Sequence, residues 1–246
     1  MLSSPKNTGY QSRNQHSQYL PNSSVGAPRP TPKNALHPKN IATHCTIQIY
    51  LNQQWQTLAN IECLQPEHGD QAETIAAYEL NYAIDYYERT DAAALSHAWP
   101  VGVNNLRSPS WPPFLVDLLP QGFGRRELLH HLNLAASTEA NADWSLLLAG
   151  AANPIGHLRV LEAAEMLKNR APAQHLDGFS RTDIVTRSED FLEKIARYGL
   201  FITGSTGVQG EWPKLLLTEA DDGRYYLDHA LPDSAARRHW LVKTAR

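Results

Sequence analysis

GSTGVQGEWPKLLLT, residues 204–218, sets Gly204, Gly207 and Gly210 in a polar stretch directly ahead of an apolar run. A glycine lacks the Cβ that restricts turn angles, so a loop of this composition lets backbone N–H groups come close to phosphate oxygens. The loop does not end in GKS or GKT, as a Walker loop does, and it does not meet the spacing GxGxxG. On spacing alone it reads either as a phosphate loop or as an ordinary connection between two strands. The residues around it therefore have to decide.

Lys214 opens a strand over 214–218, Asp222-Gly223 makes a tight turn into a strand over 224–227, and a further strand over 239–244 follows Pro232. A short strand over 200–203 precedes the loop. The last strand carries Lys243 after Trp240, Leu241 and Val242, about thirty residues beyond the loop. A lone lysine at such a place is ordinarily a solvated side chain. Together with the glycine-rich segment it reproduces the order of a kinase nucleotide lobe, where the lysine holds the α- and β-phosphates.

Upstream of this region, Ser188, the acidic Glu189 and Asp190, and the apolar Phe191, Leu192 and Ile195 predict a helix stopped by Gly199. Residues 171–178 read as a connection, 163–170 stay undecided, and 156–161 read as a strand. Residues 143–148 predict a short helix closed by Gly150, with Ser137 and Asn141 as caps, and helical periods run over 114–119 and 125–134. Before the Pro- and Asn-rich loop 100–113, the residues Tyr78, Leu80, Tyr82, Ile84 and Tyr86 recur at spacing two and predict a strand over 77–87. Residues 45–51 and 55–61 alternate around a turn at 52–54, which is a hairpin. Residues 1–43 are rich in Ser, Asn, Gln, Pro and Lys, too polar to offset the entropy of ordering, and are expected to be disordered.

Composition narrows the function classes. The 246 residues are 42% hydrophobic, enough for a substantial core. A net charge of -3 gives no broad basic field, so direct nucleic-acid binding is not expected. No apolar run of roughly eighteen residues is present, so no membrane span is expected. The two cysteines, Cys45 and Cys63, lack a CxxC spacing and no secretory leader is visible, which points to free thiols in the cytoplasm. His130 and His131 are helix neighbours about 100° apart, not a metal pair, and no metal site is expected. Arg125, Arg126 and Glu127 read as a solvated face or as a phosphate or partner contact, and Ser96 with His97 lacks a hydrolase arrangement.

GVQGEWPKLLL followed by RHWLVK resembles the nucleotide-loop and lysine segment of HipA-like serine/threonine kinases. PPFLVDLLPQGFGRRELL and DWSLLLAGAANPIGHLRV resemble segments of that family's N-terminal subdomain, as does Tyr78 to Tyr86 followed by Ala94, Leu95, Ser96 and Pro100. The resemblance covers roughly 45–246. It implies that Gly207, Val208, Gln209 and Gly210 lie over the phosphates of ATP, that Lys214 opens the next strand, and that Lys243 contacts the phosphates with Mg as the accompanying ion. It offers Ser205 as an autophosphorylation site, although Trp212-Pro213 departs from the simplest form of the motif.

Phosphoryl transfer also needs an acid that orients the hydroxyl and carboxylates that hold Mg, and these lie downstream of the lysine in kinases. Three residues follow Lys243, so no catalytic residue is assigned. The fold class expected is α+β: a disordered segment 1–43, a HipA-like N-terminal subdomain 44–170 of sheet and covering helices, a connector and helix 171–199, and an incomplete nucleotide lobe of antiparallel strands 200–246. The function expected is the N-terminal part of a toxin-antitoxin type kinase, inactive alone, whose partner is the missing kinase lobe in trans or an antitoxin. A non-catalytic regulator of a separate HipA-like kinase, and a plain α+β domain with no nucleotide role, are the alternatives.

Overall fold

A computed structural model describes residues 42–134, 139–153, 155–170, 177–202 and 214–243, all within the unit Asn40–Arg246. The segment expected to be disordered lies outside them, except Ala42 and Thr43. The strands β1 (His44–Leu51) and β2 (Gln54–Cys63) form the expected hairpin. Asn52 and Gln53 turn it with φ of 53° and 61°, the left-handed conformation that a two-residue hairpin turn demands. Alternation then buries Cys45, Ile47 and Ile49 on one face of β1. A bulge between Ile47 and Gln48 shifts the register against β2.

β3 (Thr74–Tyr78) pairs with β2 on one side, and β4 (Leu106–Ser108) pairs with β3. β5 (Leu158–Val160) closes the other side against β1, giving an antiparallel sheet of order β4-β3-β2-β1-β5. On this sheet the helices α2 (Pro113–Asp117), α3 (Gly122–His131) and α4 (Glu139–Gly150) follow the α1 helix described below, and α5 (Leu161–Arg170) leaves β5 directly. α4 buries Ala142, Trp144, Leu146, Leu147 and Gly150, which spreads over most of its circumference, the pattern of a core helix. Trp144 meets Trp111 edge to face at 5.5 Å.

Three local expectations are corrected here. The stretch after β3 is not a strand: α1 (Leu80–Asp85) begins at Glu79, whose carboxylate accepts from the Tyr82 N–H at 2.8 Å. Spacing two and spacing four both collect Tyr78, Tyr82 and Tyr86, and only burial separates them. Tyr82 and Ala83 are buried while Leu80 and Ile84 are 61% and 63% exposed, the pattern of a helix face. Asn141 lies inside α4 rather than ahead of it, and Ser137 lies outside the described residues. Third, α7 (Glu189–Ile202) runs through Gly199 and takes in 200–202, which were expected to be a strand. A glycine ends a helix when its backbone turns left-handed, and Gly199 instead continues α7. The undecided segment 163–170 is helical, in α5.

A second, three-stranded sheet has the order β7-β6-β8, from β6 (Lys214–Glu219), β7 (Tyr225–Leu227) and β8 (Arg238–Lys243), all antiparallel. α6 (Arg181–Thr186), started by a capping box of Ser180 and Asp183, and α7 cover it, with Phe179 and Phe191 packed on Leu215, Leu217 and Leu227. Phe179 exchanges backbone hydrogen bonds with Tyr225, and Gly178 sits so close to Tyr226 that a Cβ there would come within 2.6 Å of the ring. The fold class is α+β with open antiparallel sheets. No helix among the described residues is long and apolar enough to cross a membrane.

The helical assignment of α1 has a direct test. In a strand, Tyr82 and Ile84 would share a face and cost alike. In α1, Tyr82→Ala removes a buried ring whose hydroxyl donates to the Ala93 carbonyl, and should cost about 3–5 kcal/mol in urea unfolding. Ile84→Ala should stay within about 0.5 kcal/mol of wild type.

Candidate functional site

The residues expected to meet a nucleotide converge on β6 and β8. Cross-strand register pairs Lys214 with Lys243, Leu216 with Leu241 and Thr218 with His239. Lys214 and Lys243 therefore stand opposite one another at the same end of the sheet, the end at which β6 begins. Side chains alternate along a strand, so Leu215, Leu217 and Val242 face the core formed with Phe179 and Phe191. The opposite face of β8 presents Lys243, Leu241 and His239, all exposed, with Leu241 beside the half-buried Leu216. This is an apolar shelf with a cation at one end. Gly207, Val208, Gln209, Gly210 and Ser205 lie outside the described residues.

Sequence reading missed the polar cluster at the other end of this face. Asp228, in a short 3-10 turn after β7, accepts from Thr218 Oγ1 at 2.5 Å and lies 2.8 Å from His239 Nδ1, both at the same carboxylate oxygen. Its second oxygen accepts from Asn153 Nδ2 at 2.7 Å. Asn153 sits between α4 and β5, so one carboxylate ties β6 and β8 to the connection that leads into the first sheet. Burial pushes the Asp228 carboxyl up, but the hydrogen bonds from Thr218, His239 and Asn153 outweigh it and hold its pKa below the ordinary aspartate value. The four residues are spread over 153–239, and no local pattern announces such a cluster.

Other groups singled out in the sequence have structural work. Arg125 pairs with the buried Asp143 at 2.6 Å, joining α3 to α4, so it serves the fold rather than an open face. Cys45 and Cys63 are free and buried in the first core. Burial, reinforced by the nearby Glu162, pushes the Cys45 thiol well up, which leaves it a poor nucleophile. His97 Nδ1 faces the Thr90 carbonyl at 3.3 Å, and Ser96 bridges to Trp99 through its backbone. Among the described residues no three His, Cys, Asp or Glu side chains gather as metal ligands.

Residues 68–161 match the family model of the HipA N-terminal domain. The chain thus carries a HipA-like N-terminal domain, and the match takes in both the PPFLVDLLPQGFGRRELL and the DWSLLLAGAANPIGHLRV segments. Lys214 and Lys243 stand outside the matched residues. No curated protein matches the chain.

The Asp228 cluster predicts a pH signature. A carboxylate whose folded pKa is depressed contributes its full stability above the unfolded value, about pH 4, and loses it as pH falls through the folded value. Asp228→Asn should lower stability by about 1–3 kcal/mol at neutral pH. The same variant should show a shallower decline than wild type in urea melts below about pH 4.

Proposed function

We propose that this chain is the front part of a HipA-like serine/threonine kinase, in which the second sheet holds ATP and a catalytic lobe supplies the chemistry. The observation that carries the reading is the register of β6 with β8. It sets Lys243 on the open face of its strand, at the end where the glycine-rich segment 204–213 enters β6, with Leu216 and Leu241 beside it. A purine needs a flat apolar surface and its phosphates need a cation and backbone N–H donors. Leu216 and Leu241 suit the base, Lys243 suits the α- and β-phosphates, and Gly207, Val208, Gln209 and Gly210 suit the phosphate oxygens.

Mg, when bound with ATP, neutralises the charge that develops on the transferred phosphoryl group. The sequence of residues 1–246 contains no HRD-like or DFG-like segment, so in this reading a catalytic lobe, in the same polypeptide or in trans, supplies the acid and the metal carboxylates. Ser205, in the glycine-rich segment, is the residue that this reading offers as acceptor of a phosphoryl group. A toxin-antitoxin role and a cytoplasmic setting, in keeping with two free buried thiols, belong to the same reading.

One observation favours a second reading. The family match lies wholly in the N-terminal domain and leaves out the lysine strand. A protein that uses only that domain would be a binding partner that restrains a separate HipA-like kinase without holding a nucleotide.

Titration calorimetry with Mg-ATP separates the two. The nucleotide reading expects binding that Lys243→Ala weakens about tenfold or more, a loss of at least about 1.4 kcal/mol. Lys243 is exposed and the variant should melt like wild type. No binding by a chain that unfolds cooperatively would replace this reading with the regulator.

A further inference from the structure

α1 turns one apolar face to solvent. Leu80 and Ile84, one helical turn apart, are 61% and 63% exposed, and Tyr87 in the turn that follows is 57% exposed. Val103, 58% exposed, lies two residues beyond a strand-like pairing with the end of this segment: the Glu88 N–H donates to the Val101 carbonyl and the Val101 N–H to the Arg89 carbonyl, each at 2.9 Å. Single exposed apolar side chains are ordinary on a protein surface, whereas a contiguous group is the mark of a binding face. Four of the ten large exposed apolar side chains among the described residues come from α1, the turn after it and the segment that this turn pairs with.

The rim of this patch has one sign. Asp85 and Glu88 are exposed and, among the described residues, have no cationic partner. Glu79 caps α1 from the other end. The one cation of the segment, Arg89, is already paired with Asp91. The patch therefore combines apolar area with two carboxylates that have no ion-pair partner among the described residues.

We propose that this face docks an amphipathic, Lys- and Arg-bearing segment of another protein. Its apolar side chains would cover Leu80, Ile84, Tyr87 and Val103, and its cations would meet Asp85 and Glu88. The charge selects the occupant. A second copy joined by a two-fold axis would bring the same acidic rim against itself, and like charges facing each other across an interface oppose association. An anionic lipid surface would be repelled in the same way. A basic apolar segment is the occupant that gains from both halves of the patch. The patch lies in residues 80–103 and uses no residue of β6 or β8, so the inference is independent of nucleotide binding.

The test is fluorescence anisotropy of the whole chain with labelled helical peptides of about five turns, one patterned with Leu and Lys and one with Leu and Glu. The Leu/Lys peptide should bind and the Leu/Glu peptide should not. Ile84→Asp should weaken binding about tenfold or more, and Asp85→Lys with Glu88→Lys should reverse the preference. Thermal melts of these variants should match wild type, because the replaced side chains are exposed. A control pair with the same change of net charge away from the patch, Glu67→Lys with Asp221→Lys, should leave binding unchanged.

Equal weakening by the control pair would reduce the effect to net charge and overturn the proposal. Undiminished binding by Ile84→Asp would overturn it as well. A chain that self-associates in solution and is dissociated by Ile84→Asp would give the face to a second copy instead.

Discussion

The pairing of β6 with β8 fixes everything said about the second sheet, and the Asp228 carboxylate is what pins that pairing. Side chains alternate along a strand, so a slip of one residue would turn Lys243 from the open face into the core. Thr218 and His239 are direct cross-strand partners, and both contact one oxygen of Asp228. In the aligned register Leu215, Leu217 and Val242 enter the core, and Leu241 and Lys243 face outward. The other oxygen of Asp228 accepts from Asn153, which ties the same register to the connection that leads into the five-stranded sheet. A half-buried carboxylate left without these donors would be costly, so the cluster acts as a specification of geometry as much as a source of stability.

Much of this was legible in the sequence. The hairpin of β1 and β2 could be read because alternation and a short polar turn leave few alternatives. β6, β7 and β8 could be read because Asp222-Gly223 punctuates them and Pro232 separates the last. The helix at α1 was misread because tyrosines four apart satisfy a period of two as well as one near four. The distinguishing fact, that Leu80 and Ile84 are exposed, belongs to tertiary structure. The end of α7 was misread because a glycine is a stop only if its backbone turns left-handed, and composition does not reveal that.

The polar contacts were the least legible part. Arg125 looked like a surface charge until Asp143 was found buried opposite it on α4. The Asp228 cluster draws one residue each from the α4–β5 connection, β6, a 3-10 turn and β8, so no window of sequence contains it. For the candidate nucleotide face, sequence supplied Lys214 and Lys243, while the fold added Leu216 and Leu241 as the surface beside them. The HipA-like character of residues 68–161 and the lysine pair thus rest on different evidence: a family match for the first, and strand register for the second.

The central claim is that the open face of β8 holds ATP with Lys243 at its phosphates. It is tested most directly by an ATP acyl phosphate, which transfers its acyl group to whichever lysine lies beside the bound phosphates, followed by peptide mapping. The account predicts acylation concentrated at Lys243, with Lys214 the second site, and its suppression by excess Mg-ATP. Acylation spread over surface lysines and indifferent to added ATP would contradict it.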